Sequence, residues 1–295
     1  MGSLRRSLAR RGACAPELRA RDKFSPHGSG LCLTGQRFFE TVSAVMIETS
    51  HAESAPRLNL PFSISFRAPL LVATFDAPQA MLSWSLTKPG FQDAQRVAWL
   101  EVRNVDLPAS EDPLVSIARL MRDHHIEDAV TLITSRNVAR HHLFQATVEG
   151  ETATCLATVG LSNGERVGER CAEPVWLPGT VNTLVHVSSP LTQGALVETV
   201  SIVAQARTAA ILDTDVRRAG AAITGTGTDC IVVAAPKGAD GARFAGLHTA
   251  IGEAVGKAVY RAVAEGAETW RRDFTALVGD SAAARLADGA GRPDA

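Results

Sequence analysis

His248 stands in the run Gly246-Leu247-His248-Thr249, directly ahead of a segment whose apolar residues Ile251, Val255, Val259 and Ala262 recur at helical spacing. Thr249 is the expected cap of that helix, and Glu253 lies one turn inside it on the same side. A histidine exchanges protons near neutral pH, and a carboxylate one turn away can orient it or hold a water. A second polar group is Thr224-Gly225-Thr226-Gly227-Thr228-Asp229, where two glycines leave the backbone bare between hydroxyls and a carboxylate. Bare backbone lets a bulky ligand approach main-chain N–H groups, and hydroxyls supply adaptable donors and acceptors for amides. Asn182 is a third element, with an amide that can donate to a carbonyl or accept from an amide N–H; the alternative is an interior asparagine satisfied by the fold.

These residues need elements to carry them. Residues 180–187 alternate so that Asn182, Leu184 and His186 share one face of a strand and Val181, Val185 and Val187 the other. A helix over 193–213 opens at Thr192 and presents Leu196, Val200, Val203, Ala206 and Ala210, with Glu198 near its positive end. The Gly225-x-Gly227 pair is no dinucleotide fingerprint, because it precedes a strand over 230–235 and opens no helix. A helix follows over 249–266, in which Gly252 and Gly256 permit close contact with another helix. Farther upstream, alternation predicts strands over 62–66, 70–75, 97–102 and 129–134, a polar loop over 83–90, and two strands within 143–159 joined at Glu149-Gly150-Glu151. Asp112-Pro113 opens a helix over 112–124, and the adjacent His124 and His125 diverge at its end, so no shared metal site is expected. Gly160-Leu161-Ser162-Asn163-Gly164 reads as a tight turn whose Ser162 and Asn163 are open to a ligand role as well.

Composition narrows the classes. The chain has 295 residues, 45% of them hydrophobic and 21% charged, with a formal net charge of -1, which disfavours nucleic acid and anionic membranes as partners. Five cysteines show no C-x-x-C pair and no disulfide or zinc spacing, which fits a reducing cytoplasm. No run approaches the roughly 18 apolar residues of a membrane span. Residues 1–45 are arginine-rich without periodic hydrophobics and read as a disordered tail, and 280–295 as a flexible one. Between them a single mixed α/β domain is expected over 60–275, its mixed sheet covered by helices.

The series Gly179-Thr180-Val181-Asn182, Gly194 to Glu198 (GALVE), TGTGTD over 224–229 and AGLHTAIGEAVGKAVY over 245–260 closely resembles the adenosylcobinamide amidohydrolases known as CbiZ. The resemblance is strongest over 155–265 and looser over 65–150, where Ser83 and Ser85 are the nearest counterparts of a serine and glycine-rich segment. It implies hydrolysis of the amide that joins the aminopropanol arm to the corrin ring, giving adenosylcobyric acid in corrinoid salvage. Cobalt then enters with the small-molecule corrinoid substrate, and no separate cofactor is called for.

Such an amide is unactivated, so a base, a nucleophile and oxyanion donors are needed. No serine-hydrolase elbow or zinc helix is visible. With the resemblance, His248 is the leading base, supported by Glu253 or Asp229, while Asn182 and the 225–228 backbone donate to the oxyanion or to substrate amides. Thr180, Ser162, Asn163, Thr224, Gly225, Thr226, Gly227, Thr228 and Thr249 form the expected substrate-binding set. A threonine nucleophile among Thr180, Thr183, Thr226 and Thr228 stays open, Cys230 is less suited, and the sequence is compatible with a homo-oligomer. The rivals are a corrinoid carrier without chemistry and a phosphate-binding enzyme, the latter weakened because the TGTGTD loop has no lysine.

Overall fold

Alternating sequence gives strands wherever it was expected, and their register explains how the polar segments meet. The computed structural model describes residues 59–169, 179–218 and 220–279. In chain order these residues form β1 (Phe62–Arg67), β2 (Leu70–Ser83), β3 (Gly90–Glu101), α1 (Pro113–Asp123), β4 (Val130–Thr134), β5 (His141–Val148), β6 (Glu151–Val159), β7 (Gly164–Glu165) and β8 (Val181–Val187). They continue with α2 (Gln193–Asp213), β9 (Arg217–Arg218), β10 (Ala221–Ala222), β11 (Gly225–Thr226), β12 (Cys230–Ala235) and α3 (Ala250–Val278). The described residues belong to one compact unit; the expected tails over 1–45 and 280–295 lie outside the described residues.

The main sheet is mixed, with order β4-β3-β2-β12-β8-β6-β5 and β1 added to β2. The β3–β4 and β8–β12 pairs are parallel and the others antiparallel. Strand β2 shares one edge between two partners, β1 along 70–75 and β12 along 80–83, and its register to β3 shifts between Thr74 and Gln79. The β5–β6 hairpin turns on Glu149 and Gly150, both at positive φ (49° and 89°), as a two-residue primed turn requires.

The sheet has two faces and three apolar clusters. On one face Val181, Val185, Ile231, Val233, Cys155 and Ala157 pack under α2 and α3. Farther along, Val72, Ala98 and Leu100 pack under Ile117 and Met121 of α1. On the opposite face Leu184, Val232 and Leu156 meet Phe75, Val97, Trp99 and Leu132 in one cluster, so the sheet curls and fills its own concavity.

Several boundaries differ from the sequence expectation. Ser83 and Gly90 belong to strands, leaving a shorter connection over 84–89. Helix α3 continues to Val278, because Ala267 and Trp270 remain buried and Phe274 stacks on Trp270 at 4.9 Å. The buried side of α2 is Ala195, Leu196, Thr199, Ile202, Val203, Ala210 and Ile211, rotated from the predicted stripe, with Val200 and Ala206 only partly covered. An 18-residue stretch within its 21 residues, with mean hydropathy 1.4, would suit a membrane span, but here Leu196, Val203 and Ile211 are core.

Gly252 and Gly256 are not helix-contact glycines. A Cβ at Gly252 would lie 2.1 Å from the Gly246 carbonyl oxygen, whereas one at Gly256 would meet nothing within 4 Å. The glycine that seats α3 on the sheet is Gly266, where a Cβ would stand 2.5 Å from Cγ2 of Val159.

Candidate active site

The segments that carry the polar residues sort into two groups at opposite ends of the β8–β12 pair. At the start of both strands, Asp229 is the hub. Its carboxylate accepts the Val181 N–H (2.9 Å), the Thr226 N–H (2.9 Å) and the Thr226 hydroxyl (2.5 Å), and ion-pairs with Arg207 of α2 at 3.3 Å. Its side chain is 6% exposed and that of Arg207 14%. Gly225 has to be a glycine, since a Cβ there would come within 2.6 Å of this carboxylate.

The threonines around it are engaged as well. The Thr228 hydroxyl donates to the Gly179 carbonyl at 3.1 Å and lies 2.8 Å from the Thr180 hydroxyl. Thr224 Oγ1 donates to the Glu165 carbonyl and accepts the Val167 N–H, so β11 is stitched to the turn after β6. The expected bare wall is therefore largely a self-satisfied loop. Gly227 and Thr228 are its exposed residues. Ser162 and Asn163 are the central residues of a turn closed by the Gly164 N–H to the Leu161 carbonyl; Ser162 Oγ accepts the Trp270 indole N–H at 3.3 Å. Asn163 Oδ1 is buried against Gly179 and has no hydrogen-bond partner among the described residues.

Asn182 closes the curled sheet. Its Nδ2 donates to the Ile133 carbonyl at 2.9 Å, and the Ser85 hydroxyl donates to the Thr131 carbonyl at 2.6 Å, so two side chains satisfy the edge of β4 that faces away from β3. Asn182 is fully buried, and its Oδ1 is unpartnered among the described residues. In this position it does structural work, which the sequence left as the alternative to a donor role. Neighbouring Cys230 is buried 3.7 Å from Ser83 Oγ, and burial pushes its thiol up to about 11, far from a thiolate nucleophile at neutral pH.

The other group gathers where α2 and α3 begin. Thr249 caps α3, accepting the Gly252 N–H at 2.9 Å, while its own hydroxyl donates to the Gly246 carbonyl at 2.8 Å. Glu198, in the early turns of α2, accepts the Ala245 N–H at 2.6 Å. His248 is exposed between these anchors. Beside it lies a cavity of about 450 Å³ lined by Glu198, Ser201, Gln205, Phe244, His248 and Thr249, among others. It adjoins an apolar groove of about 470 Å³ between α2 and α3, the two sharing Ile202, Gln205 and Leu247. Phe244 and Leu247 are 67% and 66% exposed there. Glu253 does not turn to the histidine; it pairs with Lys257 at 2.6 Å, the neighbour one helical turn on.

The two groups do not meet. Asp229 holds the first residue of β8, whereas α2 leaves from beyond the other end of that strand and carries Glu198 in its early turns. Likewise Arg207, at the Asp229 end, is nine residues or roughly 13 Å along α2 from Glu198. Asp229, Asn182 and the 225–228 backbone therefore cannot serve the same reacting atom as His248. Sequence reasoning offers Glu198 only a favourable place near the positive end of α2 and offers Arg207 no role. A signal was present, because they are the two charges in α2 ahead of Asp213, and each leaves the helix to hold a loop.

Comparison with known proteins bears on the same segments. The family model of CbiZ, adenosylcobinamide amidohydrolase, matches residues 57–274. A curated protein of Methanocaldococcus jannaschii, an uncharacterized protein named MJ1613, is 38% identical over 90 residues, which are 30% of this chain and 35% of that protein. Among solved structures, the PH0078 protein of Pyrococcus horikoshii aligns at 12% identity and TM-score 0.36 over 70% of this chain and 79% of its own. A beta-aminopeptidase of Burkholderia sp. aligns at 12% identity and TM-score 0.33 over 71% and 86%. Likeness at that level bears on neither fold nor activity.

Proposed function

The chain belongs to the CbiZ adenosylcobinamide amidohydrolase family, and on that premise we propose that it hydrolyses the amide between the corrin ring and the aminopropanol arm of adenosylcobinamide, giving adenosylcobyric acid and aminopropanol in corrinoid salvage. The family match over 57–274 is the observation that carries this reading. The reaction is assigned to the cavity at the start of α3, which offers an exposed histidine, His248, beside a concave surface with apolar walls, Phe244 and Leu247, suited to the edge of a macrocycle.

In this assignment His248 takes a proton from water as the oxygen attacks the amide carbon, and returns it to the leaving nitrogen as the C–N bond breaks. The carbonyl oxygen becomes an oxyanion and needs fixed donors. The N–H groups of Ala250 and Ile251 open α3 and have no intrahelical acceptor, so they serve that charge from the positive end of the helix. Glutamine or serine side chains, Gln205 and Ser201, line the same cavity and suit the amides around a corrin rim. The free, buried state of Cys155 and Cys230 accords with a reducing cytoplasm.

The test is incubation of the purified protein with adenosylcobinamide and a search for adenosylcobyric acid by mass. Product formation that depends on the protein supports the reading. Tight corrinoid binding with no product would replace it with a carrier that performs no chemistry.

A further inference from the structure

The residue that emerges from the cavity with no role in the reaction as proposed is Glu198. Helix α2 has almost no charge along its length, and this carboxylate turns from the helix to a buried main-chain group, the Ala245 N–H, at 2.6 Å. Its second oxygen lies against Gly246, where a Cβ would approach to 2.9 Å, so the loop is drawn onto the carboxylate. The next anchor is the Gly246 carbonyl. It receives both the N–H (2.9 Å) and the hydroxyl (2.8 Å) of Thr249 and nestles against Gly252, which has no side chain to obstruct it. Upstream, the loop is pinned to the approach of α2 by the Thr192 N–H to the Ala242 carbonyl and the Ala242 N–H to the Pro190 carbonyl. Leu247 and His248 are thus a two-residue span between fixed points, and Glu198 is the one side chain of α2 that fixes the near end.

We propose that Glu198 is a positioning residue for His248: it holds the 245–249 loop through the Ala245 amide and so sets where the imidazole stands above the cavity. This rests on the reading of His248 as the base. A carboxylate is suited to the task because it accepts strongly from a main-chain N–H that is excluded from water, and a misplacement of a base by about 1 Å is enough to cost on the order of 10²-fold in rate. Acting through geometry, Glu198 affects turnover more than substrate affinity.

The experiment compares wild type with Glu198→Ala and Glu198→Gln, reading hydrogen exchange of the peptide over 241–249 together with kcat and KM for adenosylcobinamide. The glutamine keeps an acceptor of the same shape, so exchange and kcat should stay within about threefold of wild type. The alanine should exchange the peptide about tenfold faster and lose at least about tenfold in kcat, with KM changed by less than about threefold. Glu198→Asp, one methylene short of the amide, takes the alanine's place if that variant does not fold. Unchanged exchange in the alanine variant, or faster exchange with unchanged kcat, would overturn the proposal. A glutamine variant as inactive as the alanine but with wild-type exchange would overturn it too, since the charge itself would then be at work. If wild type yields no adenosylcobyric acid, the functional reading fails and the catalytic half of this proposal with it, while the exchange data still decide whether Glu198 holds the loop.

Discussion

The carboxylate of Asp229 accepts the main-chain N–H of Val181 at 2.9 Å, across the parallel pair in which β12 begins beside β8. One side chain thereby joins the loop before β12 to the first residue of β8, and through Arg207 to the far part of α2. Residues chosen from the sequence for chemistry are here the fastening of the sheet.

That arrangement sets a stability cost. Asp229→Ala leaves the Arg207 guanidinium without its carboxylate in a nearly buried site, and frees the N–H groups of Val181 and Thr226. Breaking a buried pair by removing one partner costs about 3 to 5 kcal/mol. Denaturant unfolding of the variant should show a loss of this size, whereas a change below about 1 kcal/mol would place Asp229 outside the structural framework.

Acid should weaken the fold through His186. This residue is buried beside Phe75, with ring centroids 5.4 Å apart, and burial lowers its pKa from 6.5 to about 4. The folded state therefore holds the neutral ring while the unfolded chain binds a proton, so stability is intact above about pH 6.5 and is lost as pH falls toward 4. The full loss is on the order of 3 kcal/mol. Burial lowers His142 as well, the largest of its influences, and adds loss in the same direction. Unfolding measured between pH 7.5 and 4.5 should steepen below 6.5 in wild type and flatten in His186→Leu; equal slopes in the two would reject the assignment.

Gly266 should tolerate no branched side chain. Its absent Cβ would fall 2.5 Å from Cγ2 and 2.9 Å from Cβ of Val159, so Gly266→Val has to push α3 away from β6. Overpacking of this kind costs about 1 to 3 kcal/mol despite the better helix propensity of valine. At Gly256, where a Cβ meets nothing within 4 Å, Gly256→Ala should instead raise the melting temperature, and the contrast between the two variants is the check.

Much of the framework was legible because it is local. Asp112, Thr192 and Thr249 cap their helices as read, since capping needs only a short polar side chain and the next amides. The alternation of Asn182, Leu184 and His186 against Val181, Val185 and Val187 also places them on the faces expected. The candidate site was less legible because it depends on which loops share an end of the sheet. The TGTGTD loop precedes β12 and so meets the start of β8, while the segment after β12 returns to the start of α2, where Glu198 waits. Nothing in the spacing of His248 and Asp229 reveals that six strand residues stand between their ends. The closure of β4 by Asn182 and Ser85 was hidden for the same reason, since it follows from the curl of the sheet.

His248, as the base that activates water at the start of α3, is the residue on which the proposed hydrolysis depends. The most direct measurement is the kcat of His248→Gln on adenosylcobinamide, with corrinoid binding and melting temperature followed in parallel. Because the residue is exposed and its side chain makes no hydrogen bond to another described residue, the variant should fold and melt as wild type does. Loss of a positioned acid or base should lower kcat by about 10² to 10⁴-fold while binding survives. A glutamine variant that turns over within a fewfold of wild type would contradict the assignment and move the chemistry away from this cavity.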